Sequence, residues 1–304
     1  MSAFVEVSPD QAAAVISEQF PPWAGLALRR VEPGGSDHVI YRLGDELAAR
    51  FPRHDGAAGQ ARHEAHWLPR VAEHLPLAVP RPVALGEPAD GYPWNWAVHR
   101  WLDGEAVSVE EYEDSGDAAD TLAGFISALQ ALPVGCAPDP TPLPLHQRDS
   151  LTRHAIAAVA GEFDAAALTR VWTDGLSAPA WHGEPVWYHG DFHTGNLLAE
   201  DHKITAVIDF GGLAVGDPAN DLMMAFTLFD DRTRGVFRNA LVAHQSARSH
   251  NGTTLDDAPL DDATWQRARA WALTTGLTAY TAYAATDPRI KKATTRQILA
   301  AVKG

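Results

Sequence analysis

The sequence predicts an α+β protein of two lobes, with a sheet-rich N-terminal lobe and a larger, mainly helical C-terminal lobe. Three observations predict it: apolar runs separated by turns over residues 26–101, helical spacing of apolar residues from about residue 105, and two short strand-like runs near residues 186 and 204. At 304 residues the chain is long enough for two separate cores. We therefore assign residues 1–100 to the N-terminal lobe, 101–105 to a hinge and 106–304 to the C-terminal lobe.

The N-terminal lobe is expected to start with a helix and to continue as strands. Ser8 can cap the helix, Pro9 suits its first position, and Gln11 can close a capping box. Residues 39–43 and 47–51 then predict a hairpin with a tight turn.

A second helix and two more strands should complete this lobe. Residues 62–75 carry an apolar stripe at helical spacing, and Pro69 within it predicts a break or restart of the helix. Residues 83–85 and 94–101 have the composition of strands.

The C-terminal lobe is predicted from the spacing of its apolar residues. Helical segments are expected at residues 122–132, 153–173, 218–229, 232–248, 263–285 and 289–302. A long uncharged stretch, residues 270–286, contains threonines and a glycine and predicts a buried helix instead of a membrane span.

Composition narrows the possible partners and the compartment. The formal net charge of −15 disfavours nucleic acid, whose phosphates would be repelled, and it suits a cationic small molecule. Cys136 is the only cysteine, so no intrachain disulfide can form and a cytoplasmic location is expected. Residues 1–10 lack the pattern of a signal peptide. Acidic clusters at residues 110–120, 230–231 and 256–262 favour solvated surfaces, although one could line a pocket for ammonium groups.

The chemistry is concentrated in two short loops, at residues 189–196 and 208–211, each next to a strand-like run. Asp191 is the candidate catalytic carboxylate, which would orient an acceptor hydroxyl and take its proton. Asn196 and Asp209 are the candidate Mg²⁺ ligands, because Mg²⁺ takes few protein oxygens and completes its shell with phosphate and water. Each residue alone could be an ordinary turn residue, but the joint spacing argues against that interpretation for all three together.

Two histidines in the first loop raise the alternative of a zinc site. His189 and His193 have a spacing that suits zinc only on a helix, and Gly190 and Gly195 disfavour a helix there. We therefore interpret both as scaffold residues of the loop. Downstream, Asp217 is a natural helix cap before a proline, and Asp221 is expected to brace the loop.

Phosphate chemistry also needs a cation from the N-terminal lobe. Arg50, on the second strand of the hairpin, is the candidate, and Glu64 on the following helix is its acidic partner. Arg53 competes for the role of the cation. The alternative is that Arg50 and Glu64 form only a surface salt bridge. Gly34, Gly35 and Ser36 could form a flap whose backbone N–H groups bind phosphates, although an ordinary turn is as good an interpretation.

With these residues together, the chain resembles the aminoglycoside phosphotransferase family of small-molecule kinases with a protein-kinase-like fold. The resemblance lies in His-Gly-Asp-Phe-His-x-Gly-Asn-Leu-Leu at 189–198, Ile-Asp-Phe-Gly at 208–211 and Gly-Asp-Pro-Ala-x-Asp-Leu at 216–222, with weaker matches upstream over about residues 30–230. It implies a five-stranded N-lobe sheet and a hinge at His99, Trp101 and Leu102 that binds the purine.

The resemblance further implies transfer of the γ-phosphate of ATP or GTP, held with Mg²⁺, to a hydroxyl group, with Asp191 as the base and Asn196 and Asp209 on the metal. Arg50 departs from the pattern, since many members have lysine there. We expect a phosphotransferase acting on an aminoglycoside-like or other antibiotic, hence an antibiotic-resistance enzyme, as a monomer or homodimer. The alternatives are a metabolic kinase of an amino alcohol, a sugar or a macrolide, and a nucleotide-binding pseudokinase.

Overall fold

A computed structural model describes residues 4–32, 34–89, 91–135, 144–249 and 261–304. Cys136 and most of the third acidic cluster lie outside these residues. The chain forms two compact units. The first extends to Gly104 and also includes Ala206–Leu213; the second comprises Glu105–Thr205 and Ala214–Gly304. The segment Ala206–Leu213, which carries Asp209, thus belongs to the first unit, whereas the sequence-based boundaries assigned it to the C-terminal lobe.

The first unit is built on a five-stranded antiparallel sheet with the strand order β1-β2-β3-β5-β4. The strands are β1 (Leu28–Arg30), β2 (His38–Leu43), β3 (Leu47–Pro52), β4 (Pro82–Gly86) and β5 (Trp96–Arg100). The predicted hairpin is confirmed as β2 and β3, and Gly44 in its turn has a φ of 61°. In the central strand β3, Arg50 is paired with Ile40 on one side and Ala97 on the other.

The two faces of this sheet differ in chemistry. One face buries apolar side chains against helix α1 (Pro9–Gln19), with Phe51 stacked on Trp96 at a centroid distance of 4.7 Å. Because side chains alternate along a strand, the opposite face carries Arg50 and His99. All six residues of β3 are buried, so both faces are covered.

The helices of the first unit begin where expected but differ in detail. Ser8 caps α1 by accepting from Gln11 N at 3.2 Å. The Gln11 side chain does not close a capping box; it donates instead to the carbonyl of Gly91 at 2.7 Å. Helix α2 runs over Gln60–Val71 with Pro69 inside it, so the predicted break at the proline is wrong. Pro69 stands in the last turn, where its missing N–H costs one hydrogen bond and the helix ends two residues later.

The second unit is mainly helical, as predicted. Its helices are α3 (Val109–Tyr112), α4 (Gly116–Gln130), α5 (Asp149–Ala158), α6 (Ala165–Ser177), α7 (Ala219–Leu222), α8 (Met224–Leu228), α9 (Asp231–Ser249), α10 (Asp262–Tyr283) and α11 (Pro288–Lys303). Helix α4 packs on α9, and α10 packs on α5, α6 and α11. Among the described residues, no helix combines the length and the apolar character needed to cross a membrane.

Short strands position the loops of interest. They are β6 (Glu105–Ala106), β7 (Val186–Tyr188), β8 (Leu197–Glu200), β9 (Lys203–Val207) and β10 (Ala214–Gly216). Strand β7 pairs with β10, and β6, β8 and β9 form a three-stranded sheet. Strand β7 leads directly into the loop that carries Asp191, and β9 leads into the loop that carries Asp209.

Candidate functional site

The loop after β7 holds Asp191 and Asn196 together. Gly190, with a φ of 88°, turns the chain after the strand, and a short 3-10 helix, Thr194–Asn196, returns it to β8. The side-chain nitrogen of Asn196, Nδ2, donates to the Asp191 backbone carbonyl at 2.9 Å and to the Asp191 carboxylate Oδ2 at 3.1 Å. Since the nitrogen is committed to Asp191, the Asn196 side chain presents its oxygen, Oδ1, as the remaining polar atom. The Asp191 carboxylate is 53% exposed and thus open to a ligand.

Both histidines of this loop accept hydrogen bonds from its backbone. His189 Nδ1 accepts from Asp191 N at 3.2 Å, and His193 Nδ1 accepts from Gly195 N at 3.1 Å. Acceptance at Nδ1 places the ring proton of a neutral His193 on Nε2, which lies 3.4 Å from Asp191 Oδ2. These contacts confirm the scaffold interpretation. No group of three or more His, Cys, Asp or Glu residues suited to a metal ion occurs in the described parts of the chain.

The electrostatics of the loop keep Asp191 ionised. Desolvation by the loop acts to raise the pKa of its carboxyl group, but the contacts with His193, His189 and Asn196 outweigh it and lower that pKa to about 2. Asp191 is therefore a carboxylate throughout the neutral range. Such a weak base is suited to orienting a hydroxyl group and taking its proton late in a transfer.

Asp221, at the end of the short helix α7, braces the same loop, as the sequence predicted. Its Oδ2 accepts from His189 N at 2.7 Å and its Oδ1 accepts from Gly190 N at 3.1 Å. Burial raises the pKa of Asp221 to about 7, against the effect of these two N–H groups. The carboxylate consequently fixes the backbone on the N-terminal side of Asp191.

Asp217 stands one residue before the N-cap position of α7, which Pro218 occupies, and its side chain still accepts from the first residue of that helix. Its Oδ1 accepts from Ala219 N at 2.9 Å. It also has a partner that sequence reasoning missed. Arg267 of α10 donates to both of its oxygens, from Nε at 2.6 Å and from Nη2 at 3.1 Å. No signal in the sequence pointed to this ion pair, because the burial of Arg267 becomes visible only in the tertiary structure.

In the first unit, a buried ion cluster forms around Arg50. Arg50 Nη1 lies 2.6 Å from Glu64 Oε2, and Nη2 lies 3.2 Å from Asp209 Oδ1. Burial acts to lower the pKa of the Arg50 guanidinium, but the two carboxylates outweigh it and the pKa is raised. Arg50 is 8% exposed, so the surface salt-bridge alternative is wrong. The competitor Arg53 pairs instead with Glu6.

Glu64 also holds the backbone of the loop at residues 208–211, which carries the candidate Mg²⁺ ligand Asp209 and is called the metal loop below. Asp209 adopts a left-handed conformation with a φ of 66°, which non-glycine residues rarely take. The next residue, Phe210, is fully buried and donates its N–H to Glu64 Oε1 at 2.9 Å. Glu64 therefore receives one hydrogen bond from Arg50 and one from the metal loop.

The three residues expected at the purine hinge have different environments. His99 is 2% exposed within β5, and its Nε2 points to Glu64 Oε2 at 3.7 Å. Trp101 donates its backbone N–H to Glu46 at 2.7 Å, and its ring lies under the guanidinium of Arg42 at 4.6 Å. Leu102 is half-buried in the segment that follows β5. Purine contacts by these residues stay a prediction, and for His99 the enclosed side chain leaves only its backbone available.

The flap residues connect β1 to β2. Gly34 and Gly35 are exposed, and a side chain added at Gly35 would meet no atom within 4 Å. The Ser36 hydroxyl donates to Asp37 Oδ1 at 3.0 Å, which leaves its backbone N–H as the group for the predicted phosphate contact. That contact stays a prediction.

His38 was not singled out from the sequence, yet it belongs to the Arg50 face of the sheet. It is 4% exposed, and burial together with Arg50 lowers its pKa to about 3. The alternation of β2 offered the signal, because His38 and Ile40 share a face and Ile40 pairs with Arg50.

Many of the acidic residues noted in the sequence have basic or backbone partners. Four of the pairs are Glu110 with Lys292, Glu113 with Arg296, Asp120 with His244, and Asp231 with Lys303. Asp230 accepts from Thr233 N at 2.7 Å at the start of α9. These contacts support the surface interpretation of the first two clusters.

Comparison with known proteins gives consistent matches over most of the chain. A family model, described as APH, phosphotransferase enzyme family, matches residues 27–271. The chain is 30% identical to an aminoglycoside 3'-phosphotransferase of Escherichia coli over 211 residues, which are 65% of this chain and 76% of that protein.

Solved structures share the fold. The GDP complex of a wild-type aminoglycoside 2'-phosphotransferase has a TM-score of 0.69 at 19% identity, covering 96% of this chain and 98% of that one. A macrolide 2'-phosphotransferase from Brachybacterium faecium has a TM-score of 0.59 at 23% identity, covering 95% and 98%. The predicted α+β, protein-kinase-like fold class is thereby confirmed.

Proposed function

This chain belongs to the APH phosphotransferase enzyme family and is a phosphotransferase, and we propose that it transfers the γ-phosphate of ATP or GTP to a hydroxyl group of an antibiotic-like small molecule. The observation that carries the proposal is the contact of Asn196 with Asp191, in which one amide nitrogen holds both the carbonyl and the carboxylate of the exposed aspartate. Phosphoryl transfer depends chiefly on positioning and charge, and this arrangement supplies an oriented carboxylate.

In this proposal Asp191 acts as the base. Its ionised carboxylate accepts a hydrogen bond from the acceptor hydroxyl and orients the hydroxyl oxygen toward the γ-phosphorus. As the bond from this oxygen to phosphorus forms, Asp191 takes the proton, the bond from the γ-phosphorus to the β,γ-bridging oxygen breaks, and the nucleoside diphosphate leaves. The His193 and Asn196 contacts hold the carboxylate for this task. Asp221 fixes the backbone behind it.

Asn196 and Asp209 fit a magnesium site by the chemistry of their donors. Asn196 has its amide oxygen left after its nitrogen is used, and Asp209 offers a carboxylate; hard oxygen ligands of this kind suit Mg²⁺. When bound, Mg²⁺ would neutralise charge on the phosphate oxygens. Arg50, oriented by Glu64, would contact the α- and β-phosphates with its guanidinium.

Nucleotide binding is also expected at two further places. The backbone N–H groups of Gly35 and Ser36 would contact phosphates, and residues 99–102 would contact the purine. Related structures are described as a complex with GDP and kanamycin and as a ternary complex with streptomycin and ATP, which supports either nucleotide as donor. We propose a cytoplasmic location, because ATP and GTP are abundant there. The protein is proposed to act as a monomer or homodimer.

The acceptor is proposed to be an antibiotic with at least one hydroxyl group. Relatives named for aminoglycosides and for macrolides support this class. The net charge of −15 favours a cationic acceptor. Glu110, Glu113 and Asp230 of the first two clusters already have partners, which makes them weaker candidates for ammonium recognition than acids without one. Amino alcohols and sugars are the metabolic alternatives.

An acceptor screen tests the proposal. Purified protein is incubated with Mg-ATP or Mg-GTP and single aminoglycosides, macrolides, amino alcohols or sugars, and phosphorylated product is detected by mass spectrometry. The expected result is product with an antibiotic, reduced about 10²- to 10⁴-fold in Asp191→Ala. Product only with amino alcohols or sugars would favour the metabolic alternative, and nucleotide binding without any product would favour a pseudokinase. Unchanged turnover in Asp191→Ala would exclude Asp191 as the base.

A further inference from the structure

Asp37, which follows the glycines of the flap, has more hydrogen-bond partners than an exposed turn residue needs. Its Oδ1 accepts from the Ser36 hydroxyl at 3.0 Å and lies 3.3 Å from His54 Nε2. Its Oδ2 accepts from Gln60 Nε2 at 3.2 Å, and its carbonyl accepts from Arg53 N at 2.8 Å. One residue thus ties the end of the flap to the end of β3 and to the first residue of α2.

The Gln60 side chain continues this connection to the metal loop. It lies so close to Gly211, the glycine after Asp209 and Phe210, that a Cβ added there would be 2.6 Å from Gln60 Cδ. Only glycine allows this approach without a shift of either group. Gln60 Oε1 is buried and has no hydrogen-bond partner among the described residues, so the amide is oriented by its donor contact with Asp37.

Two further contacts from α2 hold the same segment. Glu64 accepts from Phe210 N, and His63 Nε2 lies 2.7 Å from the Leu213 carbonyl. Gln60, His63 and Glu64 therefore contact successive parts of the segment Ala206–Leu213. Of the three, Gln60 is the one that also contacts Asp37.

We propose that Asp37 is a positioning residue for nucleotide binding: its carboxylate fixes the flap to Gln60, and Gln60 in turn fixes it to Gly211 of the metal loop. The inference rests on the proposed function, in which flap and metal loop both serve the phosphates. Two adjacent glycines leave the flap with high conformational freedom, so an anchor beside them reduces the entropy lost when a nucleotide is bound.

The test is a double-mutant cycle with Asp37→Ala, Gln60→Met and the double variant. Asp37→Ala removes the carboxylate that accepts from Gln60 Nε2. Gln60→Met keeps the length without the donor. We expect each single variant to raise the KM and the directly measured Kd for nucleotide roughly ten- to hundredfold, the size of a lost hydrogen bond to a charged group. The double variant should be no worse than either single one, because both remove the same link.

Readouts separate positioning from a general loss of structure. The KM for the acceptor should stay within about twofold of wild type, since the flap does not contact it in this proposal. Asp45→Ala is the matched control, because Asp45 is an aspartate of the adjacent hairpin turn paired with exposed Arg29 at 3.3 Å. It should leave nucleotide Kd unchanged.

Several outcomes would overturn the inference. These are nucleotide Kd values within about twofold of wild type in both single variants, effects that multiply in the double variant, or parallel loss of acceptor and nucleotide affinity with a lowered melting temperature. Wild-type protein that binds neither ATP nor GTP would overturn the proposed function, and the inference with it. Wild-type nucleotide binding with unaffected variants would overturn the inference alone.

Discussion

Arg50 and Asp209 form an ion pair in the first unit, with Arg50 Nη2 3.2 Å from Asp209 Oδ1. The other arm of the same guanidinium contacts Glu64 at 2.6 Å. Arginine can do this because its planar head carries donors on two separate nitrogens. Many members of the family have lysine at this position. Because this chain has arginine there, one side chain bridges Glu64 of helix α2 and Asp209, the proposed metal ligand.

Arg50→Lys should weaken the fold more than nucleotide binding. An ammonium group keeps the charge but replaces the forked head, so one of the two carboxylates loses its partner. We expect the free energy of unfolding to fall by about 1–3 kcal/mol, measured by denaturant titration, while nucleotide Kd changes little. Arg53→Lys is the control, since Arg53 pairs with Glu6 at a more exposed site and should cost under about 1 kcal/mol. Equal losses in the two variants would contradict the bridging role.

Substitutions of Asn196 should separate its two proposed roles. Asn196→Asp keeps an oxygen for Mg²⁺ but loses the amide that donates to Asp191. We expect kcat to fall about 10²-fold or more while the half-saturating Mg²⁺ concentration stays similar or decreases. Asn196→Ala should lower kcat and raise the Mg²⁺ requirement together. Magnesium titrations of the initial rate measure both, and an unaltered Mg²⁺ dependence in Asn196→Ala would remove this residue from the metal site.

Asp221→Ala should loosen the loop that carries Asp191, although Asp221 itself contacts neither substrate in the proposed mechanism. The N–H groups of His189 and Gly190 lose their acceptors, and buried donors without partners cost about 1–3 kcal/mol of stability. We expect kcat to drop more than either KM changes, as measured by steady-state kinetics, because Asp191 is no longer held. Asp174→Ala, at a carboxylate of α6 outside the site, is the control. Wild-type kcat in Asp221→Ala would show that the loop does not need this brace.

The sequence was sufficient for those features that depend on short-range patterns. The hairpin of β2 and β3 followed from two short apolar runs separated by the three residues 44–46. The Asp191 loop was recognisable because its chemistry lies within eight consecutive residues. Arg50 and Glu64 were found because a cation on a strand and an acid on the next helix face one another in a fold of this kind.

Features that depend on distant partners were not predictable in this way. Gln11 fits a capping box locally, but a carbonyl 80 residues away is the partner of its side chain. Arg267 reaches Asp217 across 50 residues, and Gln60 reaches Asp37 from a different element. Periodicity reports which face of an element is buried and not what that face meets, so such contacts require the tertiary structure.

The stability of the protein should fall with acidification below about pH 6.5 because of His99. Burial and the nearby Arg50 lower its pKa to about 3, whereas histidine in an unfolded chain titrates near 6.5. Between these values the unfolded chain binds a proton that the folded chain does not. The stabilisation is thus fully present above about pH 6.5 and is lost by about 1.4 kcal/mol per pH unit as the pH falls toward 3.

In His99→Gln the free energy of unfolding should change less with pH, because the unfolded variant no longer binds the proton that His99 takes up. Denaturant titrations at about pH 7.5, 6.5, 5.5 and 4.5 measure the slope for wild type and variant, and the difference isolates His99. Asp221 acts with the opposite sign, since its raised pKa favours the folded state at low pH, but it is common to both proteins and cancels. His202→Gln is the control, because His202 is exposed. If His99→Gln and wild type lose stability equally between pH 6.5 and 4.5, the buried histidine is protonated in the folded protein.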